Sequence, residues 1–258
     1  MEIFKGLDNL ASFVTKYENI LKSQRDRNFL RRVYGKGLEF YLNRLKAIDF
    51  TGGNHVLDAG CGFGQWTLAL SLLNVKVTGI DSGESRIQVS EKVSQELSRD
   101  NVIFLVGNIE QLPYANDTFD SVFCYSTIYQ TDYRRSLREF FRVLKPKGVV
   151  YISTNDWGWY VYNLVTNHNP ADDFNPRKYA GKSILGTVTH FVTKRRTSNI
   201  DLVMPSRLTI ALMKKSGFKN VRAAAEGSLV RNHLYQPRPI YPSKYLGLRN
   251  VYEVIGEK

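Results

Sequence analysis

The chain has 258 residues, 43% of them hydrophobic, and a formal net charge of +12. That length buries a full core and fits one α/β domain with some elaboration, while the lack of any run of about 18 apolar residues argues against a membrane span. The charged residues spread through Met1 to Leu21 give no secretory core, and two isolated cysteines, Cys61 and Cys124, lack metal-ligand spacing, so a reduced cytoplasmic protein with no metal site is expected.

Residues 27–49 place Phe29, Leu30, Val33, Leu38, Tyr41, Leu42 and Leu45 at helical spacing, interrupted by Gly35 and Gly37. They read as a helical lead-in (1–50) leaning on a sheet. A first strand is expected over 54–59, a helix over 64–73 and a second strand over 75–80. The next helix covers 83–99, with Ser82 or Ser85 as N-cap and Val89, Val93 and Leu97 on one face. Strands follow at 102–106, 121–125 and 149–153, with a helix from Asp132 to Leu144 before the last. Strands alternating with helices predict a parallel sheet covered on both faces, a cofactor-binding core over 51–154.

The rhythm breaks at 155–204, which is rich in aromatics, Asn and basic residues without clear period. A break this long reads as a substrate cap over the cofactor cleft. Order returns over 205–258 with a helix from Ser206 to Lys215, closed by Gly217, and two apolar runs, about 219–226 and 250–256, that predict an antiparallel pair.

Charge is unevenly placed. Residues 1–141 carry 17 Lys/Arg and 17 Asp/Glu, whereas 142–258 carry 19 basic against 7 acidic. Within 176–222 eleven cations face Asp201 alone. A solvated basic surface and attraction of an anionic substrate are both open readings of this stretch.

Residues 56–67 run from a buried strand through Gly60, Gly62 and Gly64 into a helix, and Asp81 closes the second strand. That pattern suits an adenosine-type cofactor: glycines where backbone meets ligand, and a carboxylate for ribose hydroxyls. The third glycine stands one position earlier than the dinucleotide fingerprint requires. With Gly107 to Pro113, Phe119 to Val122 and Arg142 to Gly148, these segments resemble the class I S-adenosylmethionine-dependent methyltransferases over about residues 54–155, with a weaker echo in Leu212 to Val221.

The resemblance implies a Rossmann-like α/β fold with a mostly parallel seven-stranded sheet and an antiparallel C-terminal strand. It implies S-adenosylmethionine as cofactor, with Gly60, Cys61, Gly62 and Gly64 contacting its methionine end and Asp58 near the cationic amino group. Asp81 and Ser82 would meet the ribose. Asn108, where the family often has Asp, would meet the adenine amino group, Ile109 would pack on the ring, and Tyr125 would adjoin the methionine part. The alternative reading of Asp81 is a plain helix N-cap.

Methyl transfer from a sulfonium needs alignment of the nucleophile and exclusion of water more than a catalytic triad. Where relatives carry His near position 130, this chain has Gln130. Tyr129 reads as a packing aromatic or as a group that orients substrate, and Asp156, His168 and His190 are the candidate bases, each with an ordinary surface polar residue as its alternative; His190 precedes Lys194 to Arg196, whose charge would lower its pKa if close in space. Trp157, Trp159, Tyr160 and Tyr162 read as the underside of the cap or as a stacking platform. The acceptor expected is small and anionic or phosphorylated, such as a sugar or biosynthetic intermediate. An RNA acceptor is the second reading and a non-catalytic cofactor-binding protein the third.

Overall fold

Every residue of the two central strand runs 56–59 and 77–81 is buried, so the central sheet is covered on both faces. The computed structural model describes residues 10–193 and 200–258. Its strands β1 (Val56–Ala59), β2 (Val77–Asp81), β3 (Val102–Val106), β4 (Phe119–Tyr125) and β5 (Leu144–Asn155) pair in parallel. Together with β6 (Lys219–Ala225) and the last strand, Val251–Glu257, they form a seven-stranded sheet. A small hairpin of β7 (Lys244–Tyr245) and β8 (Leu248–Arg249) lies outside it and makes the last strand β9. The order is β3-β2-β1-β4-β5-β9-β6, with β9 antiparallel to both neighbours. This is the Rossmann-like arrangement expected.

Phe123, Tyr151 and Ile255 face one apolar core, which holds the lead-in helices α1 (Leu10–Tyr17), α2 (Gln24–Tyr34) and α3 (Leu38–Ala47), together with α4 (Gln65–Ser71) and α5 (Glu84–Glu96). Val122, Val150, Ile152 and Val254 face the other core, under α6 (Tyr133–Val143) and α9 (Ser206–Lys215). Gly35 and Gly37 divide the lead-in as expected, Gly37 with φ of +72°.

Three local expectations are corrected. β5 starts at Leu144 rather than 149, because a register shift in its pairing with β4 lets Leu144 pair with Phe119 before the regular ladder begins. Neither Ser82 nor Ser85 caps α5; Gly83 holds that position, and its N–H is taken by the Asp81 carboxylate at 2.8 Å. The insert contains two helices, α7 (Trp157–Thr166) and α8 (Pro176–Thr193). Their period is hidden because α8 buries the small residues Ala180, Ser183, Gly186 and Thr187 while Leu185, Val188 and Val192 face outward.

Candidate active site

β1 ends in three consecutive tight points. Gly60, Gly62 and Gly64 all have positive φ, at +82°, +57° and +73°. The N–H groups of Gly60 and Cys61 both donate to the Ile80 carbonyl, folding the bend back over β2. Asp81 joins the two loops: its Oδ2 accepts from Gly62 N–H at 3.0 Å and its Oδ1 from Gly83 N–H. A carboxylate offers about four lone-pair sites, so this bracing leaves acceptor capacity on the cavity side.

Above this bend lies a cavity of about 900 Å³, within the size range of small-ligand sites. Of the residues expected at a cofactor site, Gly60, Gly62, Asp81, Ser82, Asn108, Ile109 and Tyr125 line it. Asn108 already accepts from Glu110 N–H through its side-chain carbonyl at 2.9 Å, which leaves one lone pair and the amide N–H₂ to face a ligand.

Asp58, Cys61 and Gly64 sit behind the wall. A Cβ on Gly64 would meet Phe104 at 2.8 Å, so this glycine permits helix–sheet packing. Cys61 is buried beside Ile87 and Phe104, and burial pushes its thiol well up. Asp58 accepts from the Thr67 hydroxyl at 2.6 Å, bracing α4 against β1, while its Oδ1 is buried without a hydrogen bond.

Burial pushes the Asp58 carboxyl up to about 7, against the opposing pull of Thr67. An acid raised in the native state holds a proton that the unfolded chain releases near pH 4. Its stabilising contribution is therefore full below about 4 and lost as pH rises through about 7. Asp58→Asn keeps the bond to Thr67 and removes that titration. The wild-type protein is expected to lose about 1 kcal/mol more stability than the variant between pH 6 and 8, read from unfolding curves at each pH.

The rest of the wall comes from distant parts of the chain. α2 supplies Arg25, Phe29, Arg32 and, just beyond it, Lys36; α7 supplies Trp159 and Asn163; the C-terminal loop supplies Ile240 and Tyr241. The cap is thus shared between the insert and the lead-in. Asp173 of the insert ties the two, accepting from the Ser23 hydroxyl at 2.7 Å and from Arg25 N–H at 2.9 Å. Arg86 pins α2 to the cofactor loop through Asp26 at 2.8 Å.

Gln65, directly after the third glycine, was not among the expected residues. It lines the cavity, and its buried Oε1 has no hydrogen-bond partner. A ligand ammonium would satisfy that oxygen. The glycine bend, the buried Asp81 carboxylate and this acceptor fit an amino-acid nucleoside such as S-adenosylmethionine.

Tyr129, Asn155, Tyr179 and Asp201 line the same cavity. Burial, and then the Asp201 charge, raise the hydroxyls of Tyr129 and Tyr179, so at neutral pH both keep their protons and act as donors. Asp201 was noticeable in the sequence only as the single acid of a basic stretch. His168 lines the cavity and shares a 3.2 Å hydrogen bond with the Tyr162 hydroxyl; burial and the Arg32 charge lower its pKa.

His190 lies on α8 away from the cavity wall, and Lys194 to Arg196, invoked beside it, fall outside the described residues. Asp156 is corrected to a structural cap: it accepts from Trp157 N–H at 2.8 Å and from Ser206 N–H at 3.0 Å, starting α7 and α9. Of the aromatic cluster, Tyr160 is buried under the insert with Trp157 packed on it, and only Trp159 reaches the cavity. Among the described residues, none of the cations of 176–222 lines the wall; its positive charge comes from α2, Lys36 and Arg86.

A family model described as "Methyltransferase domain" matches residues 50–192. Among curated proteins, the chain is 33% identical over 118 residues to the uncharacterized methyltransferase YcgJ of Bacillus subtilis, covering 45% of this chain and 46% of that one. It is 39% identical over 112 residues to a demethylmenaquinone methyltransferase of Lactococcus lactis, covering 42% and 44%. The chain therefore spans about half the length of these relatives. A solved methyltransferase of Thermotoga maritima, described as S-adenosylmethionine-dependent and a possible histamine N-methyltransferase, superposes with a TM-score of 0.54 at 21% identity over 100% of this chain and 99% of that one, a likeness of fold.

Proposed function

The chain belongs to the methyltransferase domain family, within the class I S-adenosylmethionine-dependent superfamily with S-adenosylmethionine as cofactor, and from that premise we propose that it transfers the cofactor's methyl group to a small acceptor bearing an anionic group. The observation that carries this reading is one cavity lined together by the glycine bend, Asp81, Tyr129, Tyr179, Asp201, Arg32 and Lys36. Arg31 and Arg86 are neutralised by Glu18 and Asp26, whereas among the described residues Arg32 and Lys36 pair with no carboxylate. Lys36 is half-buried, and desolvation lowers its pKa, which favours taking up an anion.

When bound, the cofactor supplies an already activated methyl group on a sulfonium. In this reading the protein's share is placement. Asp81 accepts from the ribose hydroxyls, Gln65 Oε1 accepts from the ammonium, and Ile109 covers the base while Asn108 meets its edge. Tyr129 donates to the acceptor and holds its nucleophile in line, while the Tyr179 hydroxyl donates to Asp201 and fixes that carboxylate. Asp201 is placed to take a proton from an acceptor hydroxyl, the role first sought among the histidines. Enclosure by α2 and α7 and the distance of the 176–222 cations from the wall support a small acceptor over RNA.

The test is incubation with methyl-labelled S-adenosylmethionine and fractionated lysate. Label is expected in a small-molecule fraction retained by an anion exchanger; label in RNA would sink the reading. With that fraction as substrate, Arg32→Gln with Lys36→Gln is expected to raise acceptor KM about tenfold or more, the loss of charge-assisted hydrogen bonds. The Kd for S-adenosylhomocysteine should stay unchanged. A tenfold weaker Kd with unchanged KM would assign both cations to the cofactor's own carboxylate instead.

A further inference from the structure

The outer surface of the insert is built the wrong way round for a helix facing water. On α8 the inward positions are Ala180, Ser183, Gly186 and Thr187, and the outward ones include Leu185, Val188 and Val192 at spacings of three and four. These three are 68%, 49% and 78% exposed, and Leu164 and Val165 of the adjoining α7, whose carbonyls accept from Arg177 at the start of α8, are exposed as well. A surface helix ordinarily turns such residues to its core. Among the described residues this helix pair holds half of the large exposed apolar side chains: Leu164, Val165, Leu185, Val188, Phe191 and Val192 out of twelve.

The charge within the two helices has one sign. Lys178 and Lys182, seven and three residues before Leu185, are exposed on that outward side, and neither α7 nor α8 contains an Asp or Glu. Three further cations, Lys194 to Arg196, follow α8 in the sequence. Exposed aliphatic side chains on two helices that carry cations and no acids, the acids Asp172 and Asp173 lying in the segment that joins them, complement one surface well: a bilayer with anionic headgroups, where aliphatic side chains enter the acyl boundary and lysines meet the phosphates. A second copy of the chain fits poorly, because a two-fold contact would set this cationic face against itself.

We propose that the α7–α8 pair is a membrane-surface docking element that seats the protein on anionic lipid without spanning it. Among the described residues no helix is long and apolar enough to cross a membrane. The same two helices line the cavity through Trp159, Asn163 and Tyr179, so docking brings that wall near the bilayer. The proposal stands on the surface alone and does not rest on methyl transfer.

Flotation of the full chain with vesicles tests it. The protein is expected to float with phosphatidylcholine vesicles that are one-third phosphatidylserine, and several-fold less with phosphatidylcholine alone. Leu185→Ser with Val188→Ser and Val192→Ser, and separately Lys178→Glu with Lys182→Glu, should each lower the partition coefficient about tenfold or more. All are exposed positions, so S-adenosylhomocysteine affinity and thermal midpoint should hold. Equal flotation by wild type and variants, or equal binding to neutral and anionic vesicles, would overturn the proposal. So would loss of a dimer in the serine variant by sedimentation velocity, which would make this face a self-association surface.

Discussion

A Gly60→Val protein is expected to show no measurable heat with S-adenosylhomocysteine, a loss of affinity of at least about a hundredfold. Gly60 has φ of +82°, a region that costs an L-residue roughly 1–2 kcal/mol. Any Cβ there would also lie inside the van der Waals shell of the Thr127 side chain, adding about 1–3 kcal/mol of overpacking. Thr127 lines the cavity and its hydroxyl donates to the Gly60 carbonyl at 3.2 Å, so the bend cannot yield without moving the wall. Gly62 is the informative comparison. From sequence it is equally a position where a side chain should block the ligand, but its Cβ would meet only Phe29, at 3.4 Å. Gly62→Val shares the cost of a positive φ, +57°, but not the clash with Thr127, so it is expected to weaken binding less than Gly60→Val. Equal losses at both positions in calorimetry would refute this ranking of the bend.

Replacing Arg44 by Leu should cost about 3–5 kcal/mol, a large part of the roughly 5–15 kcal/mol that holds a domain folded. Arg44 is 1% exposed on α3 and meets two carboxylates that are equally buried, Glu226 at 2.5 Å and Glu253 of β9 at 3.4 Å. The Tyr125 and Tyr151 hydroxyls donate to the same two groups. The carboxylates in turn order the C-terminal loop: Glu226 accepts from Ile240 and Tyr241 N–H, and Glu253 from Gly227 and Leu229 N–H. Without Arg44, two carboxylates stay buried with no cation.

Burial already holds the Glu253 carboxyl above its ordinary value, against the pull of Arg44. Removing that pull raises it further, so the variant's deficit grows as pH rises and narrows as pH falls. Denaturant unfolding at pH 5.5 and 8 should display that sign. Adding Glu226→Gln and Glu253→Gln should recover a good part of the loss, since neutral amides keep many of the hydrogen bonds. A deficit independent of pH would mean that lost packing, not stranded charge, sets the cost. The same variant should weaken the acceptor end of the cavity, because Ile240 and Tyr241 hang on Glu226.

The central α/β unit was legible because each of its signals is local. A strand of four to seven apolar residues, a glycine turn and a helix with one apolar face state themselves within about 15 residues. Asp81 at the end of β2 follows from the same run. Two parts of the site left weaker traces. Gln65 stood next to a recognised glycine but carries no period, and only its burial with an unmatched oxygen marks it. α8 was missed because its helical pattern is inverted, small residues inward and aliphatic ones outward. The basic stretch 176–222 misled for a related reason: a count of charge along the chain has no direction.

From its order of residues alone this protein was committed to an S-adenosylmethionine-type core, since β1, the glycine bend and Asp81 are specified by neighbours a few positions away. What the folded chain decided was the company that core keeps. α2 meets the cofactor loop through Asp26 and Arg86, 60 residues apart, and Arg44 meets Glu226 across 182. Such pairings depend on chain paths that converge only when both faces of the sheet are covered, and no spacing within either segment encodes them.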